Sequence, residues 1–320
     1  MRPLSTFLVD LVSSQYAILD SEALLHIVGP DTLTFLQGQT TCDTRVVDSE
    51  HAILGAYCTP KGRVVCDFLL CEISENHYAM RMRRDILESS AAVFGKYIVF
   101  SKAELDSAGQ HWQLYGCWGE DARSALQTTL GPLTIPSESE RYASVCGEGF
   151  VLIQTNESGT QFECYINTQS HPELADRLEA AMTQGDVNRW LSLEIKQGIA
   201  RIEAATTEEF IPQMLNYDLT GHISFNKGCY TGQEVVARLH YRGKPKRRLF
   251  EASTDQASAL LAGAPLYSAQ SQQSAGTVVN SAIDVDGLAT SLIVAPVEKM
   301  ESGLHLGDSE GVELTYDSTG

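Results

Sequence analysis

The sequence predicts an α+β protein of more than one domain that ends in a small β-barrel, and three observations carry that prediction. The chain has 320 residues, more than one typical hydrophobic core requires. Short apolar runs of strand character alternate with helical patterns as far as about Arg242, the order expected of layered α+β units. Beyond Gly243 the helical patterns stop, and short strands separated by turn residues take over, as in a barrel or sandwich.

Taken in order, Ala17 to Val28 reads as a pair of strands, and Asp31 to Gln39 as a short helix entered through Pro30. His51 to Cys58 and Arg63 to Ile73 read as strands joined by Pro60-Lys61-Gly62, a hairpin turn. Arg84 to Phe94 reads as a helix stopped by Gly95. A strand at Trp112 to Trp118, a helix at Asp121 to Leu130, strands within Tyr142 to Thr155 and Gln161 to Asn167, and helices at Pro172 to Thr183 and Val187 to Lys196 follow. The terminal strands fall at Arg248 to Ser253, Gly276 to Asn280, Leu288 to Val297 and Val312 to Tyr316. These elements divide the chain into two α+β subdomains, 1–104 and 105–242, and a β-barrel, 243–320.

Composition excludes several classes. Hydrophobic residues make up 43% and charged residues 20%, which is globular composition rather than wholesale disorder. A formal net charge of −18 opposes non-specific coating of nucleic acid, which needs a basic surface to displace counterions. The eight cysteines have no framework spacing, and Met1 to Gln15 lacks the apolar run of a signal peptide, so reduced thiols in the cytoplasm are expected. No apolar stretch approaches the roughly 18 to 20 residues that span a bilayer. Cys66 and Cys71 have C-x4-C spacing without a third cysteine nearby, and zinc-finger, Walker and Rossmann patterns do not occur, so no stable metal, ATP or NAD site is expected.

The segment with the most chemistry is Lys227-Gly228-Cys229-Tyr230-Thr231-Gly232-Gln233-Glu234. Thr231 and Glu234 have capping-box spacing, which predicts a helix from Gly232 towards Tyr241. Cys229 then lies just before the helix, where backbone amides and the positive helix end favour a thiolate, with Lys227 and Arg238 able to add charge. Gly228 and Gly232 would allow tight turns and close approach of a ligand. These residues fit a reactive thiol in a preformed pocket, and they fit equally a buried structural cysteine at a loop-to-helix entry.

This segment, followed by Val235-Val236-Ala237-Arg238 and preceded by Phe210-Ile211-Pro212-Gln213 and Ile223-Ser224-Phe225, resembles the signature of the YgfZ-type folate-binding proteins. That family belongs to the superfamily of the glycine-cleavage aminomethyltransferase. Phe35-Leu36-Gln37-Gly38-Gln39, the Lys61-Gly62-Arg63 turn and Lys96-Tyr97 extend the resemblance over most of the chain. It implies an aminomethyltransferase-like fold, with α+β subdomains and a terminal barrel arranged around a central folate pocket. It also implies an accessory protein that supports the synthesis or repair of iron–sulfur enzymes, including tRNA-modifying ones, with Cys229 and tetrahydrofolate or a derivative taking part. Two other functions stay open at this point: a folate-dependent aminomethyl transferase, and an RNA-binding module.

Tetrahydrofolate presents pterin donors, an aromatic spacer and an anionic tail, which call for a carboxylate, an aromatic face and a basic side chain. By resemblance Glu203 is the pterin-recognising carboxylate, Trp190 belongs to the folate pocket, and Asp67 aligns with an acidic strand position near the reacting folate nitrogen. From the residues alone, Glu203 and Asp67 can equally be solvated carboxylates, and Trp190 can be packing. One position departs from what the resemblance implies: Glu22 stands where a second tryptophan is expected, so either the alignment slips there or one wall of the pocket differs. Arg238, Arg242, Lys244, Lys246, Arg247 and Arg248 form a basic cluster that suits a folate tail or RNA as well as a solvated linker.

Overall fold

The computed structural model describes residues 13–107, 111–131, 140–255, 260–268, 273–283 and 287–316. The chain forms two compact units, one of Met1–Leu36, Thr44–Leu54 and Phe68–Trp190, the other of Gln37–Asp43, Gly55–Asp67 and Leu191–Gly320. Along the chain come β1 (Gln15–Ile18), β2 (Glu22–Val28), α1 (Thr32–Gln39), β3 (Ile53–Cys58), β4 (Val64–Ser74), β5 (His77–Arg83), α2 (Leu87–Ile98), β6 (Glu104–Asp106) and β7 (Trp112–Trp118). They continue with α3 (Ala122–Leu130), β8 (Ser144–Gly147), β9 (Phe150–Gln154), β10 (Gln161–Asn167), α4 (Pro172–Ala181), β11 (Thr183–Gln184), α5 (Val187–Lys196) and α6 (Gln233–Arg242). The last strands are β12 (Arg247–Thr254), β13 (Pro265–Ser268), β14 (Ser274–Ile283), β15 (Ala289–Pro296), β16 (Leu304–Leu306) and β17 (Thr315–Tyr316).

In the first unit a six-stranded sheet runs β11-β1-β7-β10-β9-β8. Its inner face buries Tyr115, Cys117, Phe150, Leu152, Phe162, Cys164 and Ile166 against Ala122 and Leu126 of α3 and Leu174 and Leu178 of α4. A second sheet has the order β3-β4-β5-β2-β6.

The α+β class holds, but two local expectations do not, and one strand is absent from the sequence reading. β1 and β2 are not a pair: β1 bonds to β7 and β11, while β2 bonds to β5 and β6. β1 is buried at its centre and β2 along nearly its whole length, each takes partners in its own sheet, and the amide of Leu19 between them donates to the Leu114 carbonyl. Gly95 does not stop a helix. Arg84–Ile86 forms a 3-10 turn and α2 runs through Gly95 to Ile98, because burying Phe94 and Ile98 one turn apart outweighs the roughly 1 kcal/mol that an interior glycine costs. β5, whose arginines disguise it as polar, pairs with β2 along its whole length.

Glu22 is 2% exposed. Its carboxylate lies 3.0 Å from Arg83 and 3.5 Å from Arg81. Arg81 also forms a two-pronged ion pair with Glu163 of β10, with Nε donating to Oε2 at 2.9 Å, and the Tyr165 hydroxyl donates to the same carboxylate.

In the second unit the C-terminal sheet runs β16-β13-β14-β15-β12-β17 and encloses Leu266, Val278, Ile293, Ala295, Leu304 and Leu314. The chain before β17 lies along β16: Glu313 bridges His305, and the Leu314 amide donates to the Leu304 carbonyl. Thr315 and Tyr316 then pair with β12 at the opposite edge. One short segment therefore meets both edges and curls the sheet into the expected barrel form. Among the described residues no helix is long and apolar enough to cross a membrane.

In the first unit His26 Nδ1 lies 2.9 Å from His77 Nε2, and the His26 ring tilts against Trp112 at 5.7 Å. Its Nε2 is buried without a hydrogen-bond partner. Burial, with help from His77 and against the pull of Asp106, pushes the His26 imidazole down to about 4. A histidine whose folded pKa lies below its unfolded value takes up protons on unfolding, so its stabilisation is present above about pH 6.5 and is lost as the pH falls. Urea unfolding should show the protein losing about 2 kcal/mol through this residue between pH 7 and pH 5. His26→Gln should be less stable at pH 7 and show a correspondingly flatter profile, and equal pH dependence in the two proteins would refute the assignment.

Candidate functional site

The hairpin between β3 and β4 is the platform on which the Lys227–Glu234 segment rests. Its turn is closed by the Thr59 amide donating to Arg63 O and the Gly62 amide donating to Thr59 O, both at 2.8 Å. Gly62 has φ +72, and a Cβ there would sit 2.8 Å from Cβ of Val235. Gly232 has φ +83, and a Cβ there would sit 2.5 Å from the Thr59 carbonyl oxygen and 3.0 Å from Cβ of Cys58. Two glycines thus let α6 and the turn approach at backbone distance.

The rest of the segment is fixed from both sides of the cysteine. Lys227 is 8% exposed, and its ammonium donates to the carbonyls of Thr40 at 2.6 Å and Cys42 at 2.5 Å, 5.2 Å from the Tyr230 ring. Lys227 therefore serves as a tether to the end of α1. Tyr230 is buried, which pushes its phenol up. The capping box does not form: Gly232 is the N-cap without a side-chain bond, and the Thr231 hydroxyl instead donates to Gln39 Oε1 at 3.4 Å. A left-handed glycine pressed on Thr59 leaves the threonine outside the capping position. Glu234 stays exposed in the first turn of α6, where a negative charge suits the helix end.

Between these anchors Gly228 and Cys229 are exposed, and no atom lies within 4 Å of where a Gly228 side chain would begin. Cys229 is the exposed thiol among the eight, Cys146 being half-buried and the other six buried. Burial pushes the thiols of Cys42, Cys58, Cys71, Cys117, Cys146 and Cys164 up.

The second feature of the same unit is built around Asp67 on β4, which is 1% exposed. Its Oδ2 accepts from Arg201 Nε and its Oδ1 from the Ile202 amide, both at 2.6 Å. Arg201 also lies 3.5 Å from Glu194 of α5. Asn280, at a bulge of β14, accepts from the Arg201 amide at 2.7 Å and donates to the Arg201 carbonyl at 2.9 Å and to Glu203 Oε1 at 2.8 Å. The half-buried Glu203 is held in turn by its amide donating to the Thr206 hydroxyl at 3.1 Å.

Asp67 and Glu203 thus belong to one network, joined by Arg201 and Asn280, neither of which the sequence marked as a site residue. The signal for Asn280 is a lone amide in the apolar run Gly276-Thr277-Val278-Val279-Asn280; a bulge turns such a side chain out of the alternation. Trp190, in the first unit, is 2% exposed. Its ring occupies the space that a side chain at Gly116 would fill, at 2.4 Å, and tilts against Trp118 at 6.2 Å. Arg238 is exposed on α6. A cavity of about 470 Å³ lined by residues 195–198, Asn216, residues 249–253 of β12, Leu292, Thr315 and Tyr316 touches none of the candidate residues; the chemistry named above lies elsewhere.

Residues 10–193 match the family model of the GCVT N-terminal domain. The chain is similar to the tRNA-modifying protein YgfZ of Photorhabdus laumondii, with 32% identity over 301 residues, covering 93% of this chain and 89% of that protein. It is 34% identical over 232 residues to the tRNA-modifying protein YgfZ of Pectobacterium carotovorum, covering 72% and 68%. The structure resembles that of the glycine cleavage system aminomethyltransferase T from Bartonella henselae, with a TM-score of 0.77 and 14% identity over 99% of this chain and 88% of the other.

The two glycines flanking Cys229 carry different loads. Gly232→Ala combines left-handed backbone strain with a contact that cannot form, and should destabilise by about 2 to 4 kcal/mol. Gly228→Ala meets open space and should stay within about 0.5 kcal/mol. Denaturant midpoints measure both, and equal effects would show that the segment is not seated on the hairpin.

Proposed function

The chain belongs to the YgfZ family within the aminomethyltransferase superfamily, and from this we propose that it is a folate-binding accessory protein supporting iron–sulfur enzymes, among them tRNA-modifying ones, through Cys229. The observation that carries the reading is the presentation of one thiol to solvent in a segment otherwise fixed by Lys227, Tyr230 and Gly232. A side chain that served only packing would not need such anchoring on both sides. The names of the relatives, tRNA-modifying protein YgfZ, support a role connected with tRNA modification.

The residues in place fit a reduced folate in part. Glu203 is the half-buried carboxylate able to face pterin donors, oriented by Asn280 and Thr206. Asp67 acts through position: its two oxygens hold Arg201 and the Ile202 amide, and with them the stretch leading to Glu203. Arg238 is placed in solvent, where it can meet an anionic tail. Trp190, 2% exposed, contributes by packing on Gly116. Tetrahydrofolate, when bound, supplies a reduced pterin that can carry one-carbon units. The alternative of an aminomethyl transferase asks Asp67 to exchange a proton while both its oxygens already accept charged or backbone donors, so the accessory reading is preferred. In this proposal the three parts at 1–104, 105–242 and 243–320 are the functional divisions, and the site of action is the cytoplasm.

Two measurements test the reading separately. Calorimetric titration with tetrahydrofolate should show binding that Glu203→Ala weakens by about 1.5 to 3 kcal/mol, and absence of binding by any reduced folate removes the folate half. Cys229 should be alkylated fastest of the eight thiols near neutral pH, and Cys229→Ser should fold, bind folate and fail to support iron–sulfur enzymes in cells lacking the native protein. Full cellular function of that variant would end the thiol mechanism.

A further inference from the structure

The basic cluster that follows the signature does not stand alone. Phe225, from the loop before Lys227, stacks on His240 of α6 with ring centroids 3.6 Å apart and planes at 13°. Tyr241 stands edge-on to both, at 6.4 Å and 74° from Phe225 and at 4.8 Å and 82° from His240. His240 is exposed and Tyr241 is 68% exposed. Arg238 and Arg242 lie one turn apart on the same helix, beside Tyr241 at the neighbouring helical position. Lys244 and Lys246 continue the track in solvent, and Arg247 is partly exposed. Arg248 leaves the cluster, because its guanidinium is held by both oxygens of Asp218 at 2.6 and 3.0 Å. From Arg238 to Arg248 the sequence has no acidic residue, in a chain whose net charge is −18.

We propose that this face of α6 and the strand entry after it bind single-stranded RNA, with bases stacking on His240 and Tyr241 and phosphates on Arg238, Arg242, Lys244, Lys246 and Arg247. The argument is one of matched chemistry. Exposed aromatic rings interleaved with cations are the pairing that a single strand requires, since every base has a stacking face and every nucleotide one negative charge. Local charge of one sign on a protein of the opposite sign confines the contact to this track. The track spans roughly 20 Å, one helical turn followed by extended chain. An acidic peptide would satisfy the cations and leave the stacked rings unused, and a duplex hides its base faces. The proposal shares Arg238 with the folate reading but rests on the two rings and the other four cations, so it stands if folate binding fails.

The test is fluorescence anisotropy of the full chain with a labelled oligouridylate of about 12 nucleotides. Binding should weaken with salt, and Arg238→Gln with Arg242→Gln should lower the slope of log K against log salt by about 1.4. Tyr241→Ala with His240→Ala should weaken binding by about thirtyfold or more and leave the salt slope in place, while Tyr241→Phe should bind as the parent protein does. All these positions are on the surface, and circular dichroism melting should show unchanged stability. Displacement of the oligomer by poly-glutamate at equal charge, or indifference to loss of both rings, would each overturn the proposal.

Discussion

A carboxylate that is 1% exposed needs partners before the fold around it can exist, and the second unit is arranged around that requirement at Asp67. Bringing a carboxylate and a guanidinium out of water costs several kcal/mol each, and their attraction offsets this only if the remaining donors and acceptors are also used. Here they are: Arg201 and the Ile202 amide take the two oxygens, Glu194 takes another face of the guanidinium, and Asn280 bonds the backbone of Arg201 in both directions. The result joins β4, the end of α5, the extended stretch through Glu203 and the bulge of β14. Glu203 has a defined position because that stretch cannot slide without breaking a buried ion pair. Removing one member of such a pair typically costs 3 to 5 kcal/mol, much of it the penalty of the charge left behind.

The same unit shows how a flexible-looking sequence becomes a rigid presentation. Two glycines near Cys229 suggest mobility, yet only Gly232 is in the left-handed region, and there it brings α6 against the Thr59 carbonyl. The Gly62 turn meets Val235 of the same helix. The Lys61-Gly62-Arg63 turn and the Lys227–Glu234 segment, 165 positions apart as Gly62 and Lys227 are numbered, are therefore two sides of one contact. The Lys227 ammonium donates to two carbonyls, which makes the lysine an anchor beside an exposed Cys229.

Much of the architecture was legible because it depends on local patterns. The β3–β4 hairpin follows from a Pro-Lys-Gly turn between apolar runs, and the barrel from the loss of helical periodicity after Gly243. What was not legible depends on partners distant in sequence. β1 and β2 are adjacent in sequence and join different sheets. The arginines of β5 look solvated until Glu22 and Glu163 are seen beside them. Thr231 and Glu234 have capping spacing, but the close approach at Gly232 decides the helix entry instead. Asp67 is readable as a carboxylate on a strand, whereas its occupation by Arg201 requires the fold.

Glu22 shows how an interior carboxylate can be accommodated. Placed alone in an interior, such a group would be strongly unfavourable. In this chain Arg81 and Arg83 lie opposite it on β5, and Glu163 approaches Arg81 from β10. Two carboxylates thus face two guanidinium groups, and the Tyr165 hydroxyl occupies a further lone pair on Glu163. Removing Glu22 would take away the carboxylate 3.0 Å from the buried Arg83, and losing one member of a buried pair is the costly change. The acidic residue and the second arginine therefore depend on each other, and the two positions act as one unit of the fold.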